Sequence, residues 1–251
     1  MSGLAGRRAL VTGGGRGIGR AVALALARAG ARVTVAARTR AEVEAVAREM
    51  GSPGVAATVD VADPASVRAL FRETGAVDIL INGAGVAPTA PLVKTTDEQW
   101  RQAIDVNLGG SFHCLREALP AMAAAGWGRV VNIASIAGKT GMPYIAAYAA
   151  SKHGVLGLTK VAALECAARG ITVNAVCPGY VDTPMTDESV RRIVAKTGVP
   201  EADVRRRLAE SSPQKRLYTV DEVAALVLFL CGDAAAGING QALSVDGGTV
   251  V

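Results

Sequence analysis

Tyr148 and Lys152 stand four residues apart in Tyr148-Ala149-Ala150-Ser151-Lys152, inside a pattern that reads as helix from Ala146 to Arg169. Residues four apart share a helix face, so phenol and ammonium project together. A free phenol has a pKa of about 10, too high for base work near neutrality. A nearby ammonium favours the phenolate and lowers that value. Alone, Tyr-x-x-x-Lys is usually a solvated helix face. Its weight here comes from Ser135, thirteen residues upstream at the end of the strand-like run Val130-Val131-Asn132-Ile133-Ala134. A serine placed there faces the same sheet edge and can donate a hydrogen bond to an oxygen where negative charge develops. Such a set supports proton transfer to or from a substrate oxygen, with Tyr148 as acid/base.

A second group of residues points to a phosphate-bearing ligand. Thr12-Gly13-Gly14-Gly15-Arg16-Gly17-Ile18-Gly19 directly follows a strand pattern, Ala9–Thr12, and opens a helical one, Gly17–Ala29. A helix amino terminus offers free amides and a positive dipole end to a pyrophosphate, and glycines let the backbone approach it. A tight turn with no ligand is the competing reading, and the strand-loop-helix context argues against it. An acid at the end of the second strand would take the ribose hydroxyls of NAD. This chain reads Val35-Ala36-Ala37-Arg38-Thr39-Arg40 there, with no carboxylate before Glu42. Arg38, flanked by Arg16, instead suits the 2′-phosphate of NADP(H). Two solvent-exposed arginines are the plain alternative.

The elements that must position these groups alternate. Ala9–Thr12, Arg32–Ala36, Val55–Val59, Val77–Asn82, Arg129–Ala134, Ile171–Val176 and Ala242–Val245 read as strands. Gly17–Ala29, Arg40–Met50, Pro64–Thr74, a long stretch opened by Thr96-Asp97-Glu98-Gln99, Ala146–Arg169 and Val220–Leu230 read as helices. Asp63-Pro64 supplies a capping side chain and then a proline at the first helical position. Nearly continuous apolar strands separated by helices imply an α/β, doubly wound parallel sheet, a Rossmann fold covered on both faces. No linker or repeat divides the chain, so residues 1–251 read as a single domain. The charged segment Pro184–Arg216 follows the sixth strand and is expected to form a helical lid over the substrate.

Composition narrows the function classes. Half of the 251 residues are hydrophobic, a fifth are charged, and the net charge of +5 is spread rather than clustered. That balance suits an anionic small ligand and gives no footprint for nucleic acid. The four cysteines are far apart and only two histidines occur, so no metal site is expected. Free thiols imply a reducing compartment, apolar runs are too broken to span a membrane, and Met1–Arg8 is short and polar. The expected location is cytoplasmic.

The spacing Thr-Gly-x-x-x-Gly-x-Gly, with Ser135, Tyr148 and Lys152, resembles the short-chain dehydrogenase/reductase family in its single-domain form, over nearly the whole chain. The resemblance implies further roles. Asp60 and Val61 match the adenine-binding position after the third strand. Asn82-Gly83-Ala84-Gly85 matches the cofactor-binding Asn-Asn-Ala-Gly motif, with Gly83 in place of its second Asn. Asn107 matches a helix-kinking asparagine whose carbonyl supports a proton relay to the lysine. Pro178 and Gly179, with Val181 and Thr183, match the segment that holds the nicotinamide carboxamide. Lys152 would also grip the cofactor ribose, beside Tyr148.

Within the family the chain looks most like β-ketoacyl thioester reductases of fatty-acid or polyketide type, and its carboxyl-terminal part also resembles 3-hydroxybutyrate dehydrogenases. The implied activity is NADPH-dependent reduction of a ketone to a secondary alcohol, on a small ketone or an acyl thioester carried by CoA or a carrier protein. An alcohol or 3-hydroxyacyl dehydrogenase running oxidatively, and a non-catalytic NADP(H)-binding sensor, are the alternatives. The basic run that carrier-protein reductases often carry before the fifth strand is missing here, where Met122–Gly128 stands, although Arg169 offers one positive charge to an acidic carrier. A homotetramer of D2 symmetry is the expected assembly.

Overall fold

The structure is a computed structural model and describes residues 3–51 and 54–250. Seven strands form one parallel sheet: β1 (Arg8–Thr12), β2 (Arg32–Ala37), β3 (Val55–Thr58), β4 (Ile79–Asn82), β5 (Gly128–Ile133), β6 (Ile171–Pro178) and β7 (Ala242–Val245). Their spatial order is β3-β2-β1-β4-β5-β6-β7. The strand order therefore reverses between β1 and β4, where Val11 lies beside Ile81 and Thr12 beside Asn82. A crevice opens at the carboxyl ends of the strands at such a reversal.

Alternate strand residues feed two cores, as the period of two requires. Val11, Ile79, Ile81 and Val131 pack with helices α1 (Gly17–Arg28), α2 (Arg40–Met50) and α9 (Val220–Cys231). Leu10, Leu80, Val130 and Val173 pack on the other face with α3 (Pro64–Thr74), α5 (Gly110–Ala125) and α6 (Ala146–Cys166). All seven strands are found where the sequence puts them, β7 with the same bounds and the others with an end shifted by one or two residues. The expected cap of α3 forms, Asp63 accepting from the amides of Ala65 and Ser66.

Two expected elements differ in detail. The long helix opened by Thr96 is three pieces: α4 (Asp97–Ala103), one wide π turn (Ile104–Gly109) and α5. Pro184–Arg216 is a pair of helices, α7 (Pro184–Thr197) and α8 (Glu201–Glu210). Gly198, at φ +68°, ends the first of them.

Candidate active site

The carboxyl ends of β1, β4, β5 and β6 open on a cavity of about 1280 Å³ that runs from the glycine loop to Tyr148. It is long enough in the fold to take both sets of residues singled out by spacing. Gly13, Gly15, Arg16, Gly17, Ile18, Gly19 and Arg38 line one end. Asp60, Val61, Ala84 and Gly85 line its flank, and Ser135, Tyr148, Lys152, Pro178, Gly179, Val181 and Thr183 its other end.

The glycine loop fits a dinucleotide phosphate. Gly13 has φ +66°, and a Cβ there would stand 2.6 Å from the Ala84 amide nitrogen. A Cβ on Gly19 would collide with the Gly13 carbonyl. The loop is thus folded hard against the end of β4 with no room for a side chain at Gly13 or Gly19. No side chain caps α1, and no acid stands in its first turn. Its free amides and positive end are left for an anion.

At the other end α6 presents Tyr148 and Lys152 together, the lysine nitrogen 5.7 Å from the centre of the phenol ring. Lys152 Nζ donates to the Ile133 carbonyl at 2.7 Å, which fixes the buried side chain to the end of β5. Burial pushes that ammonium down to about 8, with the nearby Cys177 opposing. The expected lowering of Tyr148 is not what this environment produces. Burial raises the phenol above its usual value, the Ser135 hydroxyl offsetting it in part. Sequence spacing reports the neighbouring charge but not the desolvation, and here desolvation dominates. The result is a tyrosine that holds its proton, suited to donating it. Ser135 Oγ accepts from the Ala137 amide at 3.1 Å, starting the turn Ile136–Gly138, and its own proton remains for another acceptor.

Two expected site residues stand behind the cavity wall. Asn107, in the π turn, accepts from Val86 N at 2.8 Å and donates to Val86 O at 3.0 Å, so it pairs with the loop after β4 as a neighbouring strand would. It also donates to Ser151 Oγ at 2.9 Å, and Ser151 donates to the Tyr148 carbonyl at 2.7 Å. The Asn107 carbonyl accepts from Ser111 Oγ at 2.8 Å. In this structure Asn107 is a positioning residue that ties the cavity wall to the tyrosine's helix. Asn82 does not reach the cavity either. Its side chain donates to Asn132 Oδ1 at 2.8 Å, and Asn132 donates to Thr159 on α6 at 2.8 Å. The strand register puts these two asparagines side by side and directs Asn82 into the sheet interior.

Residues 13–250 match the family model described as enoyl-(acyl carrier protein) reductase. The chain belongs to the short-chain dehydrogenase/reductase family. A D-β-hydroxybutyrate dehydrogenase of Cupriavidus necator is 38% identical over 98% of this chain and 99% of its own length. An acetoacetyl-CoA reductase of Rhizobium meliloti is 41% identical over 96% of this chain and 98% of its own. A crystal structure of an actinorhodin polyketide ketoreductase with NADPH has 39% identity and a TM-score of 0.92, covering 99% of each chain. As a member of the family, the chain is an oxidoreductase.

Several residues around this short-chain dehydrogenase/reductase site escaped the sequence reading. Ser151 joins Asn107 to Tyr148, and its position three residues after the tyrosine was the available signal. Lys94 and Lys196 also escaped that reading; they line the cavity with Arg192, one of the arginines of the charged lid segment, and none of the three is in an ion pair among the described residues. Arg192 Nη1 reaches the Ala87 carbonyl at 3.2 Å, linking α7 to the loop after β4. Two other lid arginines differ. Arg205 is held by Asp182, Asp187 and Glu201, and Arg206 by Asp203 and Glu210, so neither is free for a ligand. Arg169 lies past the far end of α6, where the eighteen steps from Tyr148 to Cys166 span about 27 Å at 1.5 Å per residue. No helix among the described residues is long and apolar enough to cross a membrane.

Proposed function

We propose that the protein is an NADP(H)-dependent ketoreductase that turns the β-keto group of a 3-oxoacyl thioester, or a related β-keto compound, into a secondary alcohol. The observation that carries this reading is the convergence of Tyr148, Ser135 and Lys152 on the end of a cavity whose other end is the glycine loop with Arg16 and Arg38. A reduced nicotinamide, when bound, would supply the hydride. Gly13, Gly15, Gly17 and Gly19 with Ile18 would hold its pyrophosphate, Asp60 and Val61 its adenine, and Val181 and Thr183 its carboxamide. The Tyr148 hydroxyl gives its proton to the substrate oxygen, and Ser135 donates a hydrogen bond to that oxygen. Lys152 orients beside the phenol and restores its proton. Asn107, through Ser151 and Val86, keeps the helix and the facing loop in register.

The substrate reading rests on the lining. Beside Ser135, Tyr148 and Lys152 the lining includes the largely apolar Ile136, Ala137, Met142, Ile145 and Tyr180. Lys94, Arg192 and Lys196 stand on the walls of the same cavity and suit the phosphates of a CoA or pantetheine arm. The intact Tyr148, Ser135 and Lys152 argue against a silent NADP(H) sensor. α7 and α8 serve as the lid, the chain acts as one domain, the assembly is a homotetramer, and the location is cytoplasmic.

The test is kcat/KM with NADPH across acetoacetyl-CoA, an N-acetylcysteamine β-ketothioester, a β-keto ester, a cyclic ketone and a steroid. The thioesters should lead. Arg192→Met should lower the CoA ester by about tenfold, the worth of one charge-assisted contact, and spare the phosphate-free thioester. A steroid or cyclic ketone in first place overturns the substrate class.

A further inference from the structure

Three threonines in this chain stand three residues before a Glu or Gln at a helix start. At Thr96 with Gln99, and at Thr219 with Glu222, both reciprocal hydrogen bonds of a capping box form. That is the ordinary use of the pattern. At Thr39 with Glu42, which opens α2, the threonine side chain makes no cap hydrogen bond. The Glu42 carboxylate lies instead against the glycine loop. A Cβ built on Gly15 would stand 2.9 Å from Glu42 Cβ and 3.1 Å from its Oε2. Glu42 therefore lines the same end of the cavity as Arg16 and Arg38. It forms no ion pair with either of them, and Arg16 is already engaged, Nη1 to Glu188 Oε1 at 3.0 Å across to α7. The two cations at this end are thus accompanied by two carboxylates, one of them uncommitted.

We infer that Glu42 sets how strongly the protein distinguishes a 2′-phosphorylated from an unphosphorylated nicotinamide dinucleotide. The inference rests on the NADP(H) reading above. The glycine loop receives the pyrophosphate, so a carboxylate packed on Gly15 stands beside the ribose that follows it. An ionised carboxylate accepts hydrogen bonds from ribose hydroxyls and repels a phosphate on the same sugar. Arg38 pulls the choice toward the phosphorylated cofactor, and Glu42 pulls it back. The sequence alone hides this, because the acid is not at the end of β2 but in the first turn of α2. The bland role for Glu42, an acid in the first turn of α2 interacting with the helix dipole, is compatible with its position but does not depend on which cofactor binds.

The experiment is direct titration of NADPH and NADH binding by nucleotide fluorescence, on the unaltered protein and on Glu42→Gln, at two salt concentrations. The substitution keeps the shape and removes the charge. The Kd for NADPH should fall about threefold to tenfold, the range for one partly screened charge, while that for NADH stays level or rises. The gain for NADPH should shrink at high salt. An unchanged ratio of the two dissociation constants, or an equal shift in both, overturns the inference. Failure of the unaltered protein to bind either dinucleotide overturns the cofactor reading itself, and is told apart because no variant enters that result.

Discussion

Replacing Asn107 by alanine removes three hydrogen bonds at once. The lost contacts are those from Val86 N at 2.8 Å, to Val86 O at 3.0 Å and to Ser151 Oγ at 2.9 Å. Asn107 is 1% exposed, so the partners on its side are left facing a small cavity. Leaving a buried polar group without a partner costs about 1–3 kcal/mol. Val86 is only partly buried, so water can replace some of what its two groups lose. Ser151 keeps its bond to the Tyr148 carbonyl. The expected total is about 3–4 kcal/mol, which for a chain of this size lowers the melting temperature by roughly 6–16 °C. Turnover should fall further than stability explains, because the loop carrying Gly85 and the helix carrying Tyr148 lose their shared tie. Asn107→Asp is the sharper variant. It keeps the acceptor for Val86 N but sets an oxygen against Val86 O, so it should melt no higher than the alanine variant. Calorimetry or circular dichroism gives the melting shift, and kcat is measured well below the melt. Melting within about 2 °C of the unaltered protein, with turnover within twofold, refutes the account of how this wall is held.

Three other outcomes follow from the same geometry. Arg38→Ala should reduce the NADPH-over-NADH preference in kcat/KM by about tenfold or more, since a charge-assisted hydrogen bond is worth about 1.5–3 kcal/mol; an unchanged preference contradicts the role given to it. Lys152 titrates at about 8, so its ammonium is lost as the pH rises through that value, whereas the raised Tyr148 still holds its proton. The kcat/KM for NADPH should therefore decline on the alkaline side with a midpoint near 8, and a flat profile through pH about 9.5 speaks against Lys152 as the titrating group. Val161 and Leu164 on α6, Phe112 on α5 and Phe229 on α9 are exposed apolar side chains on three helices. Light scattering should give a tetramer, and a stable monomer at micromolar concentration would count against burial of these faces.

What could be read from the chain before its fold was known divides along physical lines. The glycine loop, Asp63-Pro64 and the Tyr148/Lys152 pair are local patterns, and each stands where its spacing puts it. The resemblance implied a helix kink at Asn107, and the structure gives it as the π turn Ile104–Gly109. It accompanies a side chain bonded to Val86, twenty-one residues away. Asn82 looked like a cavity residue by its motif, and only the pairing of β4 with β5 shows it beside Asn132. Arg205, in the charged lid segment, is held by Asp182 and Asp187 along with Glu201, and only Glu201 stands at a helical spacing that the sequence shows. The raised phenol of Tyr148 follows from burial, which spacing does not report.

The central claim is that Tyr148 hands its proton to the substrate oxygen, and Tyr148→Phe tests it by removing one oxygen atom. Ser135→Ala serves as the graded comparison, with an expected loss on the order of a hundredfold for one hydrogen-bond donor to the developing charge. The measurement is kcat for reduction of the best thioester, made alongside NADPH binding and the melting curve of the same preparation. The account predicts unchanged folding, cofactor binding within a few-fold, and turnover reduced to near the background rate. Near-normal turnover in Tyr148→Phe would contradict it.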